Sequence, residues 1–497
     1  MKRKKRLLAV VLAAVLLIGI GGIPVSATEA PAGEAGQPNE AGQPAQDGEG
    51  NPEELTEEEK LKQELDAVYA IPVQSNEWEG WPKGPGTYGE AAIVMDVETG
   101  TVLYAKNIDE HFYPASITKL LTTLVALENG QLADPVFFSH DCVAFLQPGD
   151  SSIGMKEGNL ITLEQALYAT LLASANEAAY AVAENVGKNA GFDYNWFVER
   201  MNARCQELGG MNSNFTNTSG LPDPNHYTCA RDMALIGREL FRHPEFFTIA
   251  QTYQYTIPAS ETTEEHIFQQ HHKMLVQGDP NYYEYAIGGK TGYTNDALST
   301  LVTMADNGSM QLVCVVLKTH GKNIYPDTKN LLDYAFGNFS KVSAAERETS
   351  EDVAEVLSLQ EQEGRVMLPN GVEFDDLEKT LTPDSDVANE GTMEYRYGGN
   401  LLGSVRVMLS QSYMDARNAA PEEEETLPET EDSDAEEEAV SKDTNVLSKV
   451  VGFLKDKPRT EKYILAGAAG LLVILVIVMA VLISVRRKRK RKKRKTS

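Results

Sequence analysis

The sequence predicts an α+β fold: an antiparallel sheet made from two distant stretches of chain carries an inserted helical lobe, followed by a small C-terminal all-β domain and one C-terminal transmembrane helix. Three observations carry this. β-rich runs open and close the stretch 91–317, capped helix-period patterns fill its middle, and a 23-residue uncharged run near the C-terminus is followed at once by basic residues.

Residues 1–27 combine the basic run Lys2 to Arg6, apolar residues from Leu7 to Ile23, and Val25-Ser26-Ala27, the small-x-small form of a cleavage site. They read as a secretory signal peptide, with an uncleaved anchor as the alternative. Residues 28–62 are rich in Glu, Gly, Pro and Gln and repeat Glu-Ala-Gly-Gln-Pro at 34–38 and 40–44, too polar to bury a core, so a disordered leader is expected.

Residues 63–340 hold the main domain. Ala91 to Val97 and Thr101 to Ala105 flank Glu98-Thr99-Gly100 and read as a hairpin. Thr162-Leu-Glu-Gln165 has capping-box form before an apolar-periodic run. Glu177 to Val186 continues the pattern to an expected stop at Gly187, and Phe192 to Leu208 runs to Gly209-Gly210. Leu298 to Ala305 and Met310 to Leu317 are joined by Asp306-Asn-Gly-Ser309, a strong hairpin signal, and Thr328 to Phe336 reads as a closing helix. Within 341–415, short runs at 356–359, 365–368 and 402–409 with a turn at Pro369-Asn370-Gly371 predict a small β-sandwich that carries no catalytic pattern.

Residues 416–458 are an acidic spacer and juxtamembrane segment, where like charges stretch the chain. The span is placed at 459–485. Its uncharged part, Tyr463 to Val485, reaches about 35 Å as a helix, enough to cross a bilayer. The ten Lys and Arg from 486 to 495 then put the tail 486–497 in the cytoplasm and the body outside the cell. The chain of 497 residues has net charge −28. Without its two basic ends, thirty Lys and Arg face 73 acidic residues, a net −43 that excludes sequence-independent nucleic-acid binding by the body. The four cysteines are too scattered for a metal cluster and too few for a disulfide scaffold.

Three short patterns can carry chemistry. In Pro114-Ala115-Ser116-Ile117-Thr118-Lys119, proline before helix formers places Ser116 in a first helical turn and Lys119 on the same face, within reach of the hydroxyl. Serine is a poor nucleophile unless a neighbouring base takes its proton, which lysine does when burial and a second cation keep it neutral. Alone, Ser-x-x-Lys recurs by chance and describes a solvated helix face. Ser174-Ala175-Asn176 sits at a break between helices, where such a pair is ordinarily a cap; in a cleft it offers a proton relay and an amide contact. Gly288-Gly289-Lys290-Thr291-Gly292-Tyr293-Thr294 precedes the last hairpin, with glycines that let a substrate backbone lie close and a cation and hydroxyl that suit a carboxylate.

Together, Ser-x-x-Lys, Ser-x-Asn and Lys-Thr-Gly in this order form the signature set of penicillin-binding proteins and serine β-lactamases. The chain most resembles the D-alanyl-D-alanine carboxypeptidases, the low-molecular-weight penicillin-binding proteins of serine peptidase family S11, from about Ala91 to Phe339. The resemblance also rests on Ala92-Ile-Val-Met-Asp-Val-Glu-Thr-Gly-Thr-Val-Leu-Tyr, Asn176-Glu-Ala-Ala and Thr216-Asn-Thr-Ser-Gly-Leu-Pro-Asp-Pro-Asn-His-Tyr-Thr.

The resemblance implies a β-lactamase/transpeptidase-like domain in which Ser116 attacks the penultimate D-alanine of a peptidoglycan stem pentapeptide and Lys119 takes its proton. It implies Ser174 as proton relay, Asn176 as substrate-amide contact, Lys290 and Thr291 as the carboxylate group, and Ser116 and Tyr293, just past Gly292, as oxyanion donors. It implies β-lactams as inhibitors and no cofactor or metal. This chain departs from the family in three places: Ala175 stands where many relatives have glycine, Tyr293 where histidine or threonine is common, and the arginine that several relatives place after the last hairpin has no counterpart, since none occurs between Arg242 and Arg347, leaving Lys318 or Lys322 as substitutes. A serine β-lactamase, a DD-endopeptidase or transpeptidase, and a non-catalytic peptidoglycan-binding protein stay open as alternatives.

Overall fold

A computed structural model describes residues 55–357 and 364–419. The expected signal peptide, the spacer beyond residue 419, the transmembrane run and the basic tail lie outside these residues. The described residues up to 415 form one compact unit, and beyond it only the end of one helix is described.

The leader gives way to structure earlier than expected. Helix α1 (Glu57–Tyr69) begins inside it, because Thr56 and Glu59 form a reciprocal capping box that the polar composition hides. None of its residues is buried. It is tied down at its C-terminal end, where the Val68 carbonyl accepts from the buried Lys106 ammonium at 2.9 Å.

The main sheet has five antiparallel strands. In chain order they are β1 (Ala91–Asp96), β2 (Val102–Lys106), β3 (Ala286–Thr294), β4 (Leu298–Asp306) and β5 (Gln311–Thr319). Their spatial order is β2-β1-β5-β4-β3, so β1 pairs directly with β5 across more than 200 residues of sequence. The two ends of the domain thus share one sheet, as the alternation of patterns predicts. β1 and the middle of β5 are buried on both faces. All four cysteines are buried free thiols, Cys314 within β5.

The inserted lobe contains α2 (Lys119–Asn129), α3 (Leu163–Leu171), α4 (Asn176–Asn189), α5 (Tyr194–Glu207) and α6 (Ala230–Glu239). The Thr162 capping box starts α3 as expected, its hydroxyl accepting from Gln165 N and the Gln165 side chain accepting from Thr162 N. α4 does not stop at Gly187 but runs to Asn189. A side chain at 187 would meet the Asp193 carbonyl oxygen at 2.3 Å, so this glycine serves a close chain crossing rather than a helix end. α7 (Ile324–Asn338) starts four residues before the expected position.

Beyond it, β6 (Phe339–Ser343) pairs with β8 (Arg365–Pro369), while β7 (Val353–Leu357), β9 (Glu378–Pro383), β10 (Glu390–Tyr397) and β11 (Asn400–Leu409) form a four-stranded antiparallel sheet ordered β7-β11-β10-β9. β6, β9 and β10 were not expected. β9 and β10 have no continuous apolar run; side chains in them alternate between the two faces. The last helix, α8, spans Gln411–Ala419. Among the described residues no helix is long and apolar enough to cross a membrane.

Candidate active site

The sequence expects Ser116 in the first turn of an α-helix. It lies instead in a 3₁₀ turn, Ala115–Thr118, and α2 begins at Lys119. The reason is local. Ala115 adopts a left-handed backbone (φ 52°) that no α-helix accommodates. Such a conformation in a non-glycine residue persists only where its surroundings over-determine it. Here Thr118 Oγ1 donates to the Ala115 carbonyl at 2.9 Å, and Thr300 Oγ1 donates to the Pro114 carbonyl at 2.8 Å. Gly220 closes the other side: a Cβ there would lie 1.7 Å from the Ala115 oxygen.

Lys119 is fully buried, and its Nζ has three partners: Ser116 Oγ at 3.0 Å, Asn176 Oδ1 at 2.8 Å and the Ser219 carbonyl at 2.7 Å. Two of these atoms only accept. In its neutral form the amine has two N–H donors for these two acceptors and one lone pair left for the Ser116 hydroxyl. Burial first, and repulsion from Lys290 second, push the Lys119 ammonium well below the usual lysine range; Glu177 and Asp150 oppose the shift. Lys290 is also buried, and burial alone lowers it to about 7.

Lys290, Thr291, Gly292 and Tyr293 lie on β3, the edge strand, whose open side presents backbone N–H and C=O groups to an added strand. Gly292 passes against the nucleophile: a Cβ there would sit 2.9 Å from Ser116 N and 2.3 Å from Thr300 Oγ1. Lys290 Nζ donates to the Thr291 carbonyl at 2.9 Å, and Tyr293 is 63% exposed at the rim. Ser174 is buried between α3 and α4 in a left-handed backbone (φ 60°), two residues before Asn176. The left-handed residue at this break is therefore Ser174. Ala175 has φ −59°, which alanine adopts without strain.

The structure thus joins Ser116, Lys119 and Asn176 by direct hydrogen bonds, lays Gly292 against Ser116, and sets Lys290 within electrostatic range of Lys119. Of the two substitutes for the missing arginine, Lys318 is engaged by Glu90 at 2.8 Å, and Lys322 lies exposed in the turn Gly321–Asn323. A cavity of about 1160 Å³ elsewhere, lined by Glu98, Arg238, Lys341 and Arg365 among others, contains none of the motif residues.

Sequence reasoning missed the backbone's part. Ser219 acts through its carbonyl and Gly220 through the absence of a side chain, neither of which a side-chain pattern reveals. His226, whose Nε2 meets Thr118 Oγ1 at 2.9 Å and whose Nδ1 accepts from Thr216 N at 3.0 Å, fixes this same stretch. Its position in the Thr216–Thr228 motif was the available signal.

A half-buried serine hydrogen-bonded to a buried lysine, beside an edge strand that carries a second lysine, defines a serine acyl-transfer enzyme. The family model of D-alanyl-D-alanine carboxypeptidase, peptidase S11, matches residues 82–321. The chain is 33% identical over 261 residues to D-alanyl-D-alanine carboxypeptidase DacB2 of Mycobacterium tuberculosis, covering 51% of this chain and 84% of the relative. It is 31% identical over 256 residues to D-alanyl-D-alanine carboxypeptidase DacF of Bacillus subtilis, covering 50% of this chain and 62% of the relative. Among solved structures, the Streptomyces K15 DD-transpeptidase matches 52% of this chain and 100% of its own at 26% identity, with a TM-score of 0.47. The chain belongs to the D-alanyl-D-alanine carboxypeptidase family, S11, of serine peptidases.

Proposed function

We propose that the protein removes the terminal D-alanine from peptidoglycan stem pentapeptides through an acyl-enzyme on Ser116. The observation that carries this is Lys119 Nζ, 3.0 Å from Ser116 Oγ and otherwise bound only to carbonyl oxygens. The peptide end adds to the open edge of β3, with its terminal carboxylate toward Lys290 and Thr291 and a peptide amide held by Asn176. Ser116 Oγ attacks the penultimate carbonyl carbon as Lys119 takes the hydroxyl proton. The N–H groups of Ser116 and Tyr293 receive the oxyanion. The C–N bond then breaks, the proton passes through Ser174 to the leaving amine, and water, deprotonated by Lys119, hydrolyses the ester. A β-lactam presents a reactive amide of similar shape and acylates Ser116.

The same reading places the enzyme on the outer face of the cell membrane, delivered by residues 1–27 and held by a span at 459–485 with the basic tail in the cytoplasm. The uncharged 23-residue run and the ten cations after it support this topology. Protease added outside intact cells would then remove the body and leave the tail; a protected body would contradict it.

Mass spectrometry of the protein incubated with a pentapeptide muropeptide is expected to show loss of one alanine, and none with Ser116→Ala. Rapid penicillin turnover with the muropeptide unchanged would favour a β-lactamase instead.

A further inference from the structure

Glu177 has no part in the reaction as written, yet it is completely buried, directly after Asn176 in the first turn of α4. Its Oε1 accepts from Ser152 Oγ at 2.7 Å and from Ile153 N at 2.8 Å, while Asn176 N donates to the Ser151 carbonyl at 2.8 Å. The start of α4 therefore grips three consecutive residues of the loop before α3. The other oxygen, Oε2, is buried with no hydrogen-bond partner among the described residues. A buried carboxylate oxygen without a partner is costly.

The groups whose charge reaches Lys119 come from four elements: Lys290 from β3, Glu177 from α4, Asp150 from the loop that Glu177 grips, and His226 from the Thr216–Thr228 stretch. Only the two carboxylates favour the protonated amine. A base must both take a proton from Ser116 and hold it until the leaving group needs it, and one whose proton affinity is too low does this poorly.

Resting on the acylation reading above, we propose that Glu177 is a positioning residue for that step: it fixes the 151–153 segment beside the site and supplies the negative charge that keeps Lys119 basic enough to accept the Ser116 proton. Burial and Lys290 drive the amine toward neutrality, and Glu177, with Asp150, opposes that drift.

The test is the rate of Ser116 acylation by a labelled penicillin, followed against pH with the full-length protein. Glu177→Gln keeps an acceptor for Ser152 and Ile153 but removes the charge. Its acid limb is expected to move to lower pH, with a plateau roughly tenfold below wild type as the base weakens. Glu177→Asp keeps the charge and Ser152→Ala keeps the whole carboxylate, so both are expected to retain the wild-type limb. A limb in Glu177→Gln that coincides with wild type overturns the proposal. So does a limb in Glu177→Asp or Ser152→Ala that moves as far as in Glu177→Gln, since the effect would then be packing alone; if Glu177→Gln does not fold, carbon NMR of Cε-labelled Lys119 in Glu177→Ala decides, a titration midpoint lower than in wild type being expected and an unchanged one overturning the proposal. A wild-type protein never acylated at Ser116 would instead overturn the parent reading, and this inference with it.

Discussion

Two lysines in one groove perform opposite tasks because their surroundings differ. Lys119 is pushed well below the usual lysine range by burial and by repulsion from Lys290, with a serine hydroxyl beside it, whereas Lys290, lowered by burial to about 7, lies on the edge strand where a substrate carboxylate is expected. Turnover needs the first neutral and the second charged. As pH rises, kcat/KM for a peptide with a free terminal carboxylate is expected to climb when Lys119 deprotonates and to fall again near 7 as Lys290 loses its charge. Lys290→Arg, which stays charged, is expected to abolish that alkaline limb; a limb that persists unchanged would assign it to another group. Lys119→Arg keeps the charge but cannot act as a base, and acylation by labelled penicillin should slow by about 10²–10⁴-fold. The motif spacing already placed Ser116 and Lys119 on one face. What it could not show is that the other two lysine partners would be carbonyl oxygens, an arrangement that leaves the lone pair of the neutral amine for the serine.

Elements place these residues by close backbone contact. The 3₁₀ turn at Ala115–Thr118, the stretch around Gly220 and the strand β3 meet with no room for side chains at 220 or 292. Gly220→Ala adds both a clash with the Ala115 carbonyl and strain at φ 85°, so a lower Tm and loss of acylation are expected together. Gly187→Ala separates the two effects. Its Cβ meets the Asp193 carbonyl between α4 and α5, away from the serine, so it is expected to destabilise by about 1–3 kcal/mol in denaturant titration while the folded fraction keeps its kcat/KM. Most elements were legible from capping and turn chemistry: the Thr162 box, the Asp306–Ser309 hairpin turn and the halt at Gly209 all appear where expected. The glycine at 187 misled because a glycine needed for a close crossing and one needed for a helix end look alike in sequence. The polar strands β9 and β10 escaped because their alternation carries too few apolar residues to stand out.

Across residues 55–415, the peptidase sheet and the later strands are joined by a mostly buried charge cluster. Lys341 on β6 reaches Glu98 at 2.9 Å and Asp96 at 3.4 Å, in and beside the β1–β2 turn. Lys341→Ala leaves the fully buried Asp96 without that cation, at a cost of about 3–5 kcal/mol. Urea unfolding should show the loss while acylation of the folded enzyme stays intact. A variant as stable as wild type would mean that apolar packing alone joins the two parts. This pairing was invisible in sequence, since nothing local links residue 341 to residues 96 and 98.

The most direct measurement is the ionisation of Lys119 itself, followed by carbon NMR of lysines labelled at Cε, with Lys119→Ala identifying the signal. The resonance is expected to titrate well below 10.5 and to belong to the neutral amine at mildly alkaline pH. A Lys119 signal that stays that of the ammonium up to pH 10 would contradict the account.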